Sequence, residues 1–250
     1  MRKNQNIKKF FISVACFVSV AGLVAGFVVW RTKDRVQIEF DIHINQNAIY
    51  LSTYSESPQF AIWLENPKSG QYQQVFVTYR SSRGDWEGKA DVPVALPRWR
   101  SIFRGSDINN NARSNEEIAI SGATPKVDYF RVRAEVKPCS EWICWIEMNL
   151  AGDFNEFYPQ FNTLTMQEDE FACGQPALLY KTEIKADEGK EYTPVASYMS
   201  FWKDGKNSLA PIDKTITTAK DIFDKISIFI IKPKPMIINK NKVEQQNVLK

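Results

Sequence analysis

Residues 36–45 read VQIEFDIHIN. Val36, Ile38, Phe40, Ile42 and Ile44 fall on one side of an extended chain, and Gln37, Glu39, Asp41, His43 and Asn45 on the other. Period two held over ten residues is the pattern of a strand with one buried and one solvated face. This stretch therefore predicts a sheet that packs on a core through one side only.

The chain on the C-terminal side repeats the theme. FAIWL at 60–64 is apolar throughout, as in a central strand, and Asn66, Pro67, Ser69 and Gly70 make the turn after it. Val75, Val77 and Tyr79 alternate with Gln74, Phe76, Thr78 and Arg80. Phe130, Val132, Ala134 and Val136 alternate with Arg131, Arg133, Glu135 and Lys137, and Cys144, Ile146, Met148 and Leu150 are opposed by Trp145, Glu147 and Asn149. Residues 177–184, 195–202 and 226–231 read as three more strands. About eight short strands with turn signals between them predict a mainly β, antiparallel β-sandwich over 36–231. One short helix is expected at 219–225, where Thr218 and Asp221 have capping-box spacing. Two long stretches, 81–126 and 151–176, break the rhythm and are expected to be either functional or disordered loops.

The ends differ from this body. Phe10 to Trp30 is a 21-residue stretch without charge. At about 1.5 Å rise per residue it can span a bilayer core of roughly 30 Å. Residues 1–9 are then a cytoplasmic N-terminus, with four basic residues before the stretch against three after it. The alternative is a cleaved signal sequence, with Ser19 and Ala21 at the small-residue positions. Both readings place 36–231 outside the cytoplasm, as the extracytoplasmic part of a single-pass cell-membrane protein in the first case. Residues 232–250 are expected to form a basic, solvated tail, which could also touch anionic lipid.

The 250-residue chain has a net charge of +3, which hides an uneven distribution. Seven basic residues and one acid lie up to Arg35, and five basic residues and one acid lie from Lys232 onward. The body between them holds 20 basic and 27 acidic residues, a net −7. The near-balance of 32 basic and 29 acidic residues over the whole chain argues against nucleic acid as a partner.

Several chemistries are excluded or left without a signature. The single histidine, His43, rules out a His-cluster zinc site. There is no Gly-x-Ser-x-Gly elbow, no phosphate-cradling glycine loop and no His-Glu-x-x-His. No catalytic residue and no metal site are assigned. Glu39, Asp41 and His43 could share a metal, but a set of this kind is more often a solvated sheet face. Asp153, Asn155 and Glu156 are hard oxygen donors without the glycine and closing glutamate of an EF-hand loop.

Three further features are candidates for function or for covalent constraint. Cys139 and Cys144 flank a four-residue segment between two strands and could form a hairpin disulfide in an oxidising compartment, with Cys173 left over or exchanged for one of them. Phe154, Phe157, Tyr158 and Phe161 crowd one loop, where they could contact a ligand or partner or fold over the core edge. Trp86 and Trp99 are candidate stacking platforms for a sugar.

Four segments occur in order: PQFAIWLENPKSGQY at 58–72, LPRW at 96–99, ISGATPK at 120–126 and GQPALLYKTEI at 174–184. Together they resemble a bacterial family of periplasmic proteins, the "domain of unknown function 2271" family. The resemblance covers roughly 36–231 and implies an exported Ig-like β-sandwich, in the style of flagellar hook-capping domains, with no established activity. It also implies the company of membrane flavin and iron-related redox proteins. Ser121, Gly122, Ala123 and Thr124 look like the core of the motif at which a flavin transferase attaches FMN to threonine. Ile118 stands where that motif has an acid, and Pro125 and Lys126 where it has small hydroxyl residues.

The expectation is a membrane-anchored, non-enzymatic binding or accessory module without cofactor, attached to a membrane redox or transport protein and contacting its partner through the loops at 100–118 and 151–173. The alternatives are an electron carrier with FMN on Thr124 and a carbohydrate-binding module.

Overall fold

The alternation at 36–45 does what its period dictates. In a computed structural model of the chain, which describes residues 17–27, 35–83, 95–104, 121–122, 128–203 and 205–232, strand β1 runs Val36–Ile44. It buries Ile38, Phe40, Ile42 and Ile44 completely. It is central in a four-stranded sheet of order β10-β13-β1-β5, with β5 at Tyr129–Val136, β10 at Glu191–Tyr192 and β13 at Phe223–Ile231. The polar face of β1 meets β5 in register, so Glu39 lies opposite Arg133 and Asp41 opposite Arg131. Both arginines bond the facing carboxylates at 2.5 Å.

The second sheet has seven strands in the order β12-β11-β9-β6-β2-β3-β4. These are β2 Gln59–Glu65, β3 Tyr72–Thr78, β4 Ser121–Gly122, β6 Glu141–Asn149, β9 Ala177–Lys185, β11 Val195–Lys203 and β12 Lys206–Pro211. Pairing is antiparallel except between β3 and β4. The two sheets close on one core. Phe60 of β2 packs edge-on against Phe130 of β5 and Phe223 of β13, with centroids 5.0 and 5.3 Å apart. The molecule is mainly β, and the sandwich expected from the strand pattern is present.

Strand β2 explains why its sequence is apolar on both parities. Phe60, Ile62 and Leu64 enter the core between the sheets, whereas Ala61 and Trp63 enter a second cluster on the outer face. That cluster is roofed by helix α4, Pro97–Phe103, which brings in Leu96 and Trp99. β3 shares this double burial, so Val75, Phe76 and Val77 are all buried where alternation was expected.

The sequence reading undercounted and misplaced several elements. The strands β4, β7 (Phe161–Asn162), β8 (Gln167–Glu168), β10 and β12 are too short or too polar to carry a period. The expected helix at 219–225 is a 3-10 turn at Thr218–Asp221, after which β13 begins at Phe223. Its cap has no side-chain hydrogen bond. The Thr218 hydroxyl donates to Asp153, a partner 65 residues away, instead of completing a capping box. Four α-helical segments are described: α1 over 17–27, α2 at Gln46–Leu51, α3 at Tyr79–Arg83 and α4.

No described helix is long and apolar enough to cross a membrane. Residues 10–16 and 28–30 of the expected span lie outside the described residues, as do 1–9 and 233–250.

The register gives the sandwich two distinct ends. Val36 pairs with Val136 and Gln37 with Ile231, so the body of the chain enters and leaves at the same end. Ile44, α2, Asn149, the 151–176 loop and the 3-10 turn lie at the other end, tied together where Thr53 N donates to Gly152 O and Asn45 N to Ile222 O.

Candidate interaction site

The 151–176 loop is built by a small number of polar pins. Asp153 is buried, and one carboxylate oxygen accepts from the Thr218 hydroxyl. Gln175 donates to the same hydroxyl at 2.7 Å and accepts from Thr217 N at 2.7 Å. Burial pushes the Asp153 carboxyl above the usual range, against the lowering effect of its hydrogen bonds to Thr218 and Gln175. These bonds fasten the loop to the turn that precedes β13.

Close backbone approach fixes the loop at its two glycines. Gly174 has φ +69°, and a Cβ there would sit 2.4 Å from the carbonyl oxygen of Asp153. Gly152 has φ +73°, and its Cβ would sit 2.4 Å from the ring of Tyr54. Only glycine fits both the dihedral and the space.

The four loop aromatics separate into two pairs. Phe154 sits edge-on to Tyr54 at 6.4 Å, and Tyr158 packs on the core with its hydroxyl 3.1 Å from that of Thr215. Phe157 and Phe161 point outward, 43% and 47% exposed. Asn155 sets this division. Its side-chain oxygen accepts from Phe157 N and Tyr158 N, both at 2.9 Å, while its amide donates to Thr215 O. The aromatic loop is thus partly a core flap and partly surface.

The outward pair has apolar neighbours in sequence. Leu164, at the tip of the β7–β8 hairpin, is 94% exposed, and Met166 is 72% exposed. Outside α1, twelve large apolar or tyrosine side chains are exposed among the described residues. Ten of them (Tyr50, Leu51, Tyr54, Tyr79, Tyr129, Phe157, Phe161, Leu164, Met166 and Leu209) lie at the end opposite chain entry. Exposed apolar groups scattered singly are ordinary on a protein surface, whereas these are concentrated at one end.

The remaining sequence candidates resolve as follows. Glu39 and Asp41 are held by Arg131 and Arg133 in a cross-strand ion ladder, and His43 Nδ1 bonds Asp224, so the three side chains are directed to separate partners and not to one another. Asp153, Asn155 and Glu156 do not converge either. The first two are committed to Thr218 and to backbone N–H groups, and Glu156 is exposed. No group of three His, Cys, Asp or Glu side chains suited to a metal occurs among the described residues.

Cys139 and Cys144, the expected disulfide pair, are both free thiols. Cys139 is exposed in the turn, with left-handed backbone (φ 57°), and Cys144 is fully buried in the core between the sheets. Trp99, the candidate sugar platform, is buried and donates to Gln74 at 2.9 Å, which removes it from that role. Trp86 lies outside the described residues, as do Ala123 and Thr124. Ser121 and Gly122 form the edge strand β4, where a Cβ on Gly122 would meet the Phe76 ring at 3.1 Å.

Glu147 was missed by sequence reasoning. It is fully buried on the outer face of β6, where it accepts from Arg98 N at 2.9 Å and Trp99 N at 2.7 Å. Burial is the largest influence and pushes its carboxyl up to about 7, against the lowering effects of Trp99, Ser200 and Arg98. The signal was a glutamate inside the apolar run ICWIEMNL, together with a helix start, LPRW, that supplies no cap of its own.

The chain matches no family model, no curated protein and no solved structure.

Proposed function

We propose that this chain is a membrane-anchored, extracytoplasmic β-sandwich that acts as a non-enzymatic binding or accessory module. Its N-terminal apolar stretch holds it at the membrane, and its far end contacts a membrane redox or transport protein. The observation that carries this reading is the polarity of the sandwich. The body's two ends emerge on one side, and ten of the twelve exposed large side chains outside α1 among the described residues lie on the other.

A photo-crosslinking residue placed at Leu51 or Phe157, with Tyr72 as a control at the entry end, tests the reading in cells on the full chain. Discrete adducts from the first two positions only, on protein that stays in the membrane after a carbonate wash, are the expected result. Adducts from Tyr72 alone, or release by carbonate, would overturn it.

A second reading is FMN carried on Thr124. It is favoured by the place of Ser121–Gly122 on the outermost strand of the large sheet, where a transferase could reach the chain. Co-expression with a flavin transferase followed by intact mass decides it, because the FMN increment must appear in wild type and vanish in Thr124→Ala.

A further inference from the structure

The β7–β8 hairpin presents its apolar residues in a fixed way. Phe161 pairs with Glu168 and Asn162 with Gln167. The Asn162 side chain accepts from Leu164 N at 3.0 Å and Thr165 N at 3.1 Å, which closes the tip beneath the Leu164 side chain. Met166 and Ala172 take left-handed backbone (φ 56° and 52°) to complete the turn and its return. At the base, Asp169 N donates to Gln160 O at 2.8 Å, and the Asp169 carboxylate accepts from Gly174 N at 2.9 Å. A tip braced at both ends loses little conformational entropy when something covers it. Covering Leu164 would remove almost its whole side chain from water.

Charge narrows what could cover it. Residues 151–176 hold five acids (Asp153, Glu156, Glu168, Asp169 and Glu170) and no Lys, Arg or His. Glu156 and Glu168 are exposed beside Phe157 and Phe161. Anionic lipid headgroups are repelled by such a rim, whereas a basic protein surface is steered toward it.

We infer that the β7–β8 hairpin docks a partner protein segment that sets aliphatic or aromatic side chains among lysines and arginines, with Leu164 and Met166 as the anchors and Glu156 and Glu168 as the rim. This inference rests on the binding-module reading and specifies the partner for that same surface.

The test pans a phage-displayed library of random peptides on the full chain, then measures the enriched peptides against Leu164→Asp, Glu168→Lys and Leu51→Asp. Unchanged melting of each variant shows that the fold is intact. Peptides rich in Lys and Arg with apolar residues, weakened about tenfold or more by Leu164→Asp and weakened by Glu168→Lys and by salt, are the expected result. Peptides lost only on Leu51→Asp would overturn the hairpin assignment and leave the binding-module reading standing. Peptides indifferent to all three variants would overturn both. No enrichment, or Leu164-dependent flotation with phosphatidylglycerol vesicles, would also overturn the inference, the latter in favour of a membrane.

Discussion

The carboxylate of Glu147 caps a helix that belongs to another part of the chain, accepting the backbone N–H of Trp99 at 2.7 Å across 48 residues of sequence. The residue at the cap position of α4, Leu96, has no side-chain oxygen to offer, so the first-turn donors at Arg98 and Trp99 depend on strand β6. Removing the carboxylate with Glu147→Ala leaves two donors without that acceptor, the buried N–H of Trp99 and the part-buried N–H of Arg98. The expected loss is about 2–5 kcal/mol of unfolding free energy in urea melts. Glu147→Gln keeps one acceptor oxygen and should cost less.

The same residue predicts a pH dependence with a definite sign. Burial raises the folded-state carboxyl from 4.5 to about 7. Between those values the folded chain binds more protons at this site than the unfolded one, so the Glu147 contribution to stability is fully present below pH 4.5 and is lost as pH rises through 7. The Glu147 share is on the order of 3 kcal/mol. Urea melts across that window should show a falling unfolding free energy in wild type and a flatter profile in Glu147→Gln. A rise in wild-type stability over the window would refute the assignment.

Thiol chemistry should separate the two cysteines of the Cys139–Cys144 hairpin. Cys139 is exposed, while burial pushes the Cys144 thiol well above its ordinary value. Iodoacetamide on the native protein is expected to label Cys139 and spare Cys144, which becomes reactive only in denaturant. Peptide mapping reads this directly, and a Cys139–Cys144 disulfide in the mapped protein would contradict it.

Gly174→Ala forces a methyl group against the Asp153 carbonyl at a left-handed φ. The expected cost is about 2 kcal/mol or more in thermal or urea unfolding, with earlier proteolysis in the 151–176 loop. Gly70→Ala, at φ +68° with nothing within 4 Å, isolates the dihedral penalty and should cost less.

Legibility in the sequence followed burial geometry. β1, β5 and β13 bury one face against a solvated one or run nearly apolar, so their period or composition exposed them. β2 was readable as central because both of its faces are covered. β7, β8 and β10 have two residues each and leave no period to read. The 3-10 turn resembled a capped helix because Thr218 and Asp221 have the right spacing, but the hydroxyl of Thr218 had a better acceptor in Asp153. For the site, the loop at 151–176 was visible from its composition. Its division into inward Phe154 and Tyr158 and outward Phe157 and Phe161 was not, since it depends on the contacts Asn155 makes with Thr215. Glu147 escaped because its partners are backbone groups, which every residue possesses.

Strand β2 has a consequence for how the molecule opens. Phe60, Ile62 and Leu64 belong to the core between the sheets, while Ala61 and Trp63 belong to the cluster under α4. One seven-residue strand is therefore the shared wall of two apolar compartments. Neither compartment can be flooded through that wall without exposing the other. The amides of β2 should therefore exchange with solvent only in the global unfolding event, later than those of the hairpin that carries Leu164.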